Sequence, residues 1–189
     1  SKVFGHYITD NYRTSYGLFA VSGILFNHES PLRGEEFVTR KIILGLIKIL
    51  KKDLKCLELG NIYAKRDWGY AKEYVRAMWK MLQQNKPKDY VLSSDETHTI
   101  REFVEEAFNF AGFHRSICRW EGEGIDTKYY HSTDLLMEVD SKFYRPAEVD
   151  LLLGDSTKAK QILKWFPKTN LDQLIKIMCD YEISKSQKS

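Results

Sequence analysis

One stretch constrains this chain more than any other. Residues 17–26, GLFAVSGILF, form an apolar run that passes without a turn signal into NHESPLRGEEFVTRK at residues 27–41. Ten residues are too few to cross a bilayer, and the run does not alternate as a half-exposed strand would. It reads as a buried strand of a parallel sheet, with the loop after it at the sheet's carboxyl edge, where open α/β sheets bind their ligands. That loop carries His28, Glu29, Arg33 and Lys41. These residue types in that place point to an anion.

The elements around the run fit an α/β order. SKVFGHYITDNYRTSYG puts Val3, Tyr7 and Tyr12 near one helical face and closes on Gly17 as a C-cap. Ser1 can cap only a frayed first turn, so residues are expected upstream of it. EEFVTRKIILGLIKILKK reads as a helix with Phe37, Ile42 or Lys41, Gly45 and Ile49 inward, LKCLEL as a strand ending at Gly60, and NIYAKRDWG as a highly charged loop. A helix from Tyr70 is stopped by Asn85 and Pro87, and DYVLSS and SICRWEG are short strands. Thr99 with Glu102 makes a capping box, Ser156 caps TKAKQILKW, and Asn170 with Gln173 caps the last helix. Residues 122–141 read as loop and 184–189 as a disordered tail. Strands alternating with helices and then giving way to shorter elements predict an α/β sheet followed by a mixed lobe.

Composition removes several functions. The net charge is +3 over 189 residues and the longest basic run is KILKK, which gives no footprint for nucleic acid. No apolar segment is long enough for a membrane helix and the first residues lack the order of a signal peptide, so the chain is read as cytoplasmic. Cys56, Cys118 and Cys179 are too scattered for a metal site and read as buried, reduced thiols. No G-x-G-x-x-G turn occurs for a dinucleotide phosphate. The basic groups at loop and helix starts are Arg33, Arg40 with Lys41, Lys65 with Arg66, and Arg145. Arginines from separate loops can converge on a diphosphate. Arg40 and Lys65 read as surface charges. Arg66 serves a ligand or pairs with Asp67, Arg145 serves a ligand or pairs with Glu148, and His28 is a ligand contact or a satisfied loop histidine. The residues by themselves describe an anion-binding α/β domain.

Taken together, GLFAVSGILFNHESPLRGEEFVTRKI, GNIYAKRDWGYAKEYV, MWKMLQ and YRPAEVDLLLGDSTKAK resemble the GDP-mannose 4,6-dehydratase family of extended short-chain dehydrogenases/reductases. The resemblance runs in order from Ser1 to about Tyr181 and matches the family's carboxyl-terminal half. It implies an α/β fold: residues 1–34 as the end of a Rossmann-type parallel sheet, and 35–183 mainly as a smaller mixed α/β nucleotide-sugar lobe with sheet-completing elements. It also implies NADP as cofactor and GDP-mannose as substrate. In that family C4 is oxidised, water is eliminated across C5 and C6, and the hydride returns to C6, giving GDP-4-keto-6-deoxymannose. Lys2 would be the lysine of the family's Tyr-x-x-x-Lys pair, with the tyrosine upstream. An ammonium beside a phenol lowers the phenol's pKa by roughly 1–3. Lys2, His28 and Arg33 match cofactor contacts. Asn27, Val38, Lys41, Arg66, Arg145 and Glu148 match GDP-sugar contacts, the arginines on the diphosphate, Lys41 towards guanine and Glu148 towards ribose. A homo-oligomer, dimer or tetramer, is expected from pairing of the first helix through Phe4, Tyr7, Ile8 and Tyr12. Two positions depart from the family: Leu32 where a second arginine is usual, and Tyr63 where a small or acidic residue is. The alternatives are a related nucleotide-sugar reductase or epimerase, and a non-catalytic GDP-sugar-binding fragment.

Overall fold

The computed structural model describes residues 1–144 and 149–186. In chain order the elements are α1 (Lys2–Tyr16), β1 (Gly23–Leu25), β2 (Asn27–Glu29), α2 (Val38–Leu50), β3 (Leu57–Leu59), β4 (Lys65–Arg66), β5 (Trp68–Tyr70) and α3 (Ala71–Leu82). They continue with β6 (Tyr90–Leu92), β7 (His98–Thr99), α4 (Ile100–Phe110), β8 (Cys118–Glu121), β9 (Lys128–His131), β10 (Asp134–Val139), α5 (Thr157–Leu163) and α6 (Leu171–Ser186). The described residues fall into two units, each assembled from separated segments. The first takes Ser1–His28, Asp67–Thr97 and Leu153–Thr169, and the rest form the second.

In the first unit β1 and β6 pair in parallel, Ile24 opposite Val91. Tyr74, Ala77 and Met81 recur at helical spacing on α3 and bury one face against Tyr90, Leu92, Ala159, Leu163 and Trp165. The chain before β1 is fastened electrostatically. Arg13 at the end of α1 forks onto both oxygens of Asp89 and donates to the Ala20 carbonyl, while Asp89 also accepts from the Ser22 N–H at 2.7 Å. Gly17 closes α1 in the left-handed region, φ 64°, as its sequence position foretold. The expected buried strand is shorter and more open than the apolar run implies. Only Gly23–Leu25 is strand, and Ile24 is 49% exposed. Among the described residues β1 has one hydrogen-bonded neighbour strand, β6.

The second unit is built on a four-stranded sheet, β3-β10-β9-β8. β3 and β10 are parallel and the other pairs antiparallel. Helix α2 packs against both α4 and α6. The capping box at the start of α4 is present in full, with the Thr99 side chain accepting from the Glu102 N–H and Glu102 answering to the Thr99 N–H. Asn170 and Gln173 exchange the same kind of bonds at α6.

Four expectations are corrected. Residues 122–141, read as loop, contain β9 and the sheet-central strand β10. A bulge between Leu135 and Met137 breaks the alternation, and the hairpin turns through Ser132 at φ 55° instead of a glycine, so neither usual signal is present. Arg40, read as a surface charge, is buried with Glu182 at 2.7 Å, and the inward face of α2 is Thr39, Arg40, Ile42, Ile43, Gly45, Leu46 and Ile47. Ser156 precedes α5 but gives its hydroxyl to Asp95, not to the helix. Of the tail read as 184–189, residues 184–186 continue α6, and 187–189 lie outside the described residues. The three thiols are free; Cys179 is buried while Cys56 and Cys118 are half-buried.

Candidate functional site

The loop that follows β2 is organised by a buried carboxylate. Glu29, 1% exposed, accepts from the Thr39 hydroxyl at 2.5 Å and faces the Arg33 Nε at 3.3 Å. Turns from Ser30 to Arg33 and from Gly34 to Phe37 fold the segment back to the start of α2. The Arg33 guanidinium lies 3.6 Å from the centre of the Phe37 ring. One carboxylate in the second unit thus fixes both Arg33 and the first turn of the helix that opens with Val38 and carries Lys41.

In the first unit, Asn27 and His28 lie in β2, whose partner strand is β5. The His28 ring stacks on Tyr74, with centroids 5.5 Å apart, and Tyr74 in turn meets Trp165 edge-on. Nδ1 of His28 is 2.9 Å from the Phe26 carbonyl oxygen. A carbonyl only accepts, so Nδ1 carries the hydrogen and Nε2 of the neutral ring is left as an acceptor. Lys2 is the first residue of α1 and is exposed.

The second unit joins two motifs distant in sequence. The Lys65 N–H donates to the Asp150 carbonyl at 2.7 Å, and the Leu152 N–H returns to the Lys65 carbonyl at 3.1 Å. Beside them Arg66 Nη1 donates to the Val149 carbonyl at 2.5 Å. On the other side of the same stretch the Lys41 ammonium sits 3.3 Å above the Phe143 ring. The described residues flanking 145–148 are therefore held by Lys41 before it and Arg66 after it. Arg145 and Glu148 lie outside the described residues. Burial lowers the Lys41 pKa, with Lys142 adding to the effect and the Glu58 and Asp140 carboxylates opposing it.

Asp67, next to Arg66 in sequence, has a different role from the ion pair weighed for it. It is fully buried and accepts from the N–H and hydroxyl of Ser94 and from the N–H groups of Asp95 and Gly154. Gly154 is needed there, because a Cβ on it would come within 2.3 Å of the Ser93 Cβ. Asp95, with φ 64°, collects Ser93, Ser156 and Lys160. Burial alone would raise its carboxyl, but these hydrogen bonds outweigh it and hold the pKa at about 2. Asp67 and Phe143 are not singled out by the sequence as site-building residues, and Glu29, named in the loop, gives no sign there that it organises it; for the two carboxylates an acidic side chain next to a proline or tryptophan turn is the available signal.

The family model described as GDP-mannose 4,6 dehydratase matches residues 1–178. The chain belongs to the GDP-mannose 4,6-dehydratase family. It is 48% identical over 185 residues to the GDP-mannose 4,6 dehydratase of Homo sapiens, covering 97% of this chain and 49% of that protein. With the Drosophila melanogaster protein of the same name it shares 46% identity over 191 residues, covering 100% and 48%. The chain thus spans about half the length of the curated relatives it matches, and corresponds to their carboxyl-terminal part. Among solved structures it is similar to UDP-glucuronic acid 4-epimerase of Bacillus cereus in complex with UDP-glucuronic acid and NAD, with TM-score 0.74, 16% identity and coverage of 97% and 51%. The dTDP-glucose 4,6-dehydratase of Bacillus anthracis in complex with NAD gives TM-score 0.72 at 17% identity, covering 96% and 50%. The fold is accordingly that of part of an extended short-chain dehydrogenase/reductase. Leu32 and Tyr63, the two positions expected to depart from the family pattern, are exposed, Leu32 at 82% and Tyr63 at 44%.

Proposed function

We propose that this chain is the nucleotide-sugar-gripping part of an NADP-dependent GDP-mannose 4,6-dehydratase, which converts GDP-mannose to GDP-4-keto-6-deoxymannose and water. The observation that carries the reading is the 48% identity to a GDP-mannose 4,6 dehydratase across 97% of the chain. The second unit's geometry supports it: Arg66 beside Val149, and Lys41 beside Phe143, put two candidate GDP contacts at the flanks of the YRPAEVD motif. Asn27, Val38, Arg145 and Glu148 complete the proposed set.

The cofactor residues fit their group in part. Nε2 of His28, an acceptor once Nδ1 is committed to Phe26, suits a hydroxyl or amide donor of a nicotinamide nucleotide. Arg33 uses Nε towards Glu29, and the guanidinium's remaining donors are those the reading assigns to the cofactor. Lys2 would hold the ribose hydroxyls and keep a neighbouring tyrosine ionised. When bound, NADP supplies a hydride acceptor that gives the hydride back, which makes the overall conversion redox-neutral. The protein's part is to orient the sugar and to move the protons. No phosphate-binding glycine turn lies within these 189 residues, so the chain by itself is expected to be inactive. The test is keto-sugar formation from GDP-mannose with NADP, by the full-length protein and by this chain. Turnover by the full-length protein alone supports the reading, and no turnover by either removes it. In the full-length protein Lys2→Met should lower the rate at neutral pH and shift the pH–rate profile upward with little change in GDP-mannose affinity.

A further inference from the structure

Phe143 is held in place from several directions, all within the second unit. It closes the 3-10 turn Ser141–Phe143, where its N–H donates to the Asp140 carbonyl at 3.0 Å. Asp140 is itself fixed, its N–H on the Leu59 carbonyl at 2.8 Å and its carboxylate accepting from the Lys142 N–H. At Gly60 the chain passes so close that a Cβ there would lie 2.4 Å from the Phe143 carbonyl oxygen. Two ammonium groups lie near the ring, Lys41 at 3.3 Å and Lys142 at 4.9 Å from its centre. Their situations differ. Lys142 is tied to both Glu58 and Asp140, whereas Lys41 has the face of the ring.

An ammonium over an aromatic face is attracted by the ring's quadrupole, most strongly where water is partly excluded. It keeps its N–H groups to donate and has nothing with which to accept. Guanine presents O6 and N7, both acceptors, on the edge where adenine presents an amino donor beside N7. We propose that Phe143 is a positioning residue for base selection: its ring seats the Lys41 ammonium so that the protein takes a guanosine diphosphate and rejects an adenosine one. The inference rests on the reading of Lys41 as a GDP contact and adds to it the residue that fixes the lysine and the discrimination that follows.

The test is calorimetric titration of the full-length protein and of Phe143→Leu and Phe143→Tyr with GDP, ADP and pyrophosphate. Phe143→Leu, which keeps an apolar side chain but removes the quadrupole, should weaken GDP about ten-fold. It should cut the preference for GDP over ADP by the same factor and leave pyrophosphate unchanged. Phe143→Tyr keeps the ring and should behave as the parent. The inference is overturned if Phe143→Leu retains the parent's GDP affinity and preference, or if it weakens all three ligands equally, as a merely structural residue would. A parent protein that binds GDP no more tightly than pyrophosphate would sink the nucleotide reading and this inference together. A parent that discriminates, with an unaffected leucine variant, would sink this inference alone.

Discussion

Replacing Asp67 with asparagine removes one charge and turns one acceptor into a donor, with almost no change in shape. Oδ1 accepts from the Ser94 N–H and hydroxyl, both at 2.7 Å, and Oδ2 from the N–H groups of Asp95 at 3.2 Å and Gly154 at 3.3 Å. An asparagine can keep the two bonds on Oδ1, but its amino group then faces two N–H donors. A hydrogen bond to a charged group contributes roughly 1.5–3 kcal/mol. The two that are lost are long, so the lower figure applies to each and Asp67→Asn should cost about 3 kcal/mol. That is a large part of a stability of roughly 5–15 kcal/mol. Asp67→Ala removes this acceptor from the N–H groups of Ser94, Asp95 and Gly154 together, while the Ser94 hydroxyl keeps the Glu96 carbonyl at 3.2 Å, and it should cost more. The assay is urea unfolding followed by circular dichroism, comparing midpoints at unchanged slope. An asparagine variant within about 0.5 kcal/mol of the parent, the scatter of ordinary surface substitutions, would refute the keystone role.

The Arg40–Glu182 pair is close, at 2.7 Å, yet off hydrogen-bond alignment; Arg40→Met or Glu182→Leu alone should cost about 3–5 kcal/mol, and the two together should return near the parent in the same urea assay. Asp95, held at about 2 against an ordinary 3.8, stabilises the fold above its unfolded pKa and loses that contribution as pH falls from 3.8 through about 2. Asp95→Asn should therefore be roughly 2 kcal/mol less stable at neutral pH, with the difference closing towards pH 2, as read from unfolding midpoints across pH. On α1, Phe4, Tyr7, Ile8 and Tyr12 are all exposed, so the full-length protein should show at least a dimer by light scattering, and Phe4→Glu with Tyr7→Glu should shift it towards monomer.

What could be read in the sequence was local. Gly17, Thr99 with Glu102, and Asn170 with Gln173 each close or open a helix within four residues of their partner, and all three are found as expected. What depended on distant partners could not be read. Arg40 looks like any basic residue beside Lys41 until Glu182 of α6 meets it. Ser156 has the type and position of a cap, but the Asp95 carboxylate wins its hydroxyl. β10 was hidden because its bulge shifts the inward positions by one, and a period-2 pattern cannot survive that shift. The candidate site could be read only as motifs, not as geometry. Lys41, Arg66 and the YRPAEVD segment could be named together only through a family resemblance. The contacts of Lys65 with Asp150 and of Arg66 with Val149 are three-dimensional facts that spacing does not encode.

Isotope tracing tests the dehydratase reading most directly. The full-length protein would be given GDP-mannose carrying deuterium at C4, and the product followed by nuclear magnetic resonance and mass spectrometry. A 4,6-dehydratase gives a 4-keto product lacking one water, with the deuterium retained and located at C6. Deuterium returned to C4 with water still in place would mean epimerase chemistry, and GDP-mannose left unconverted would fit a reductase on the same scaffold; either would contradict the function proposed for this chain.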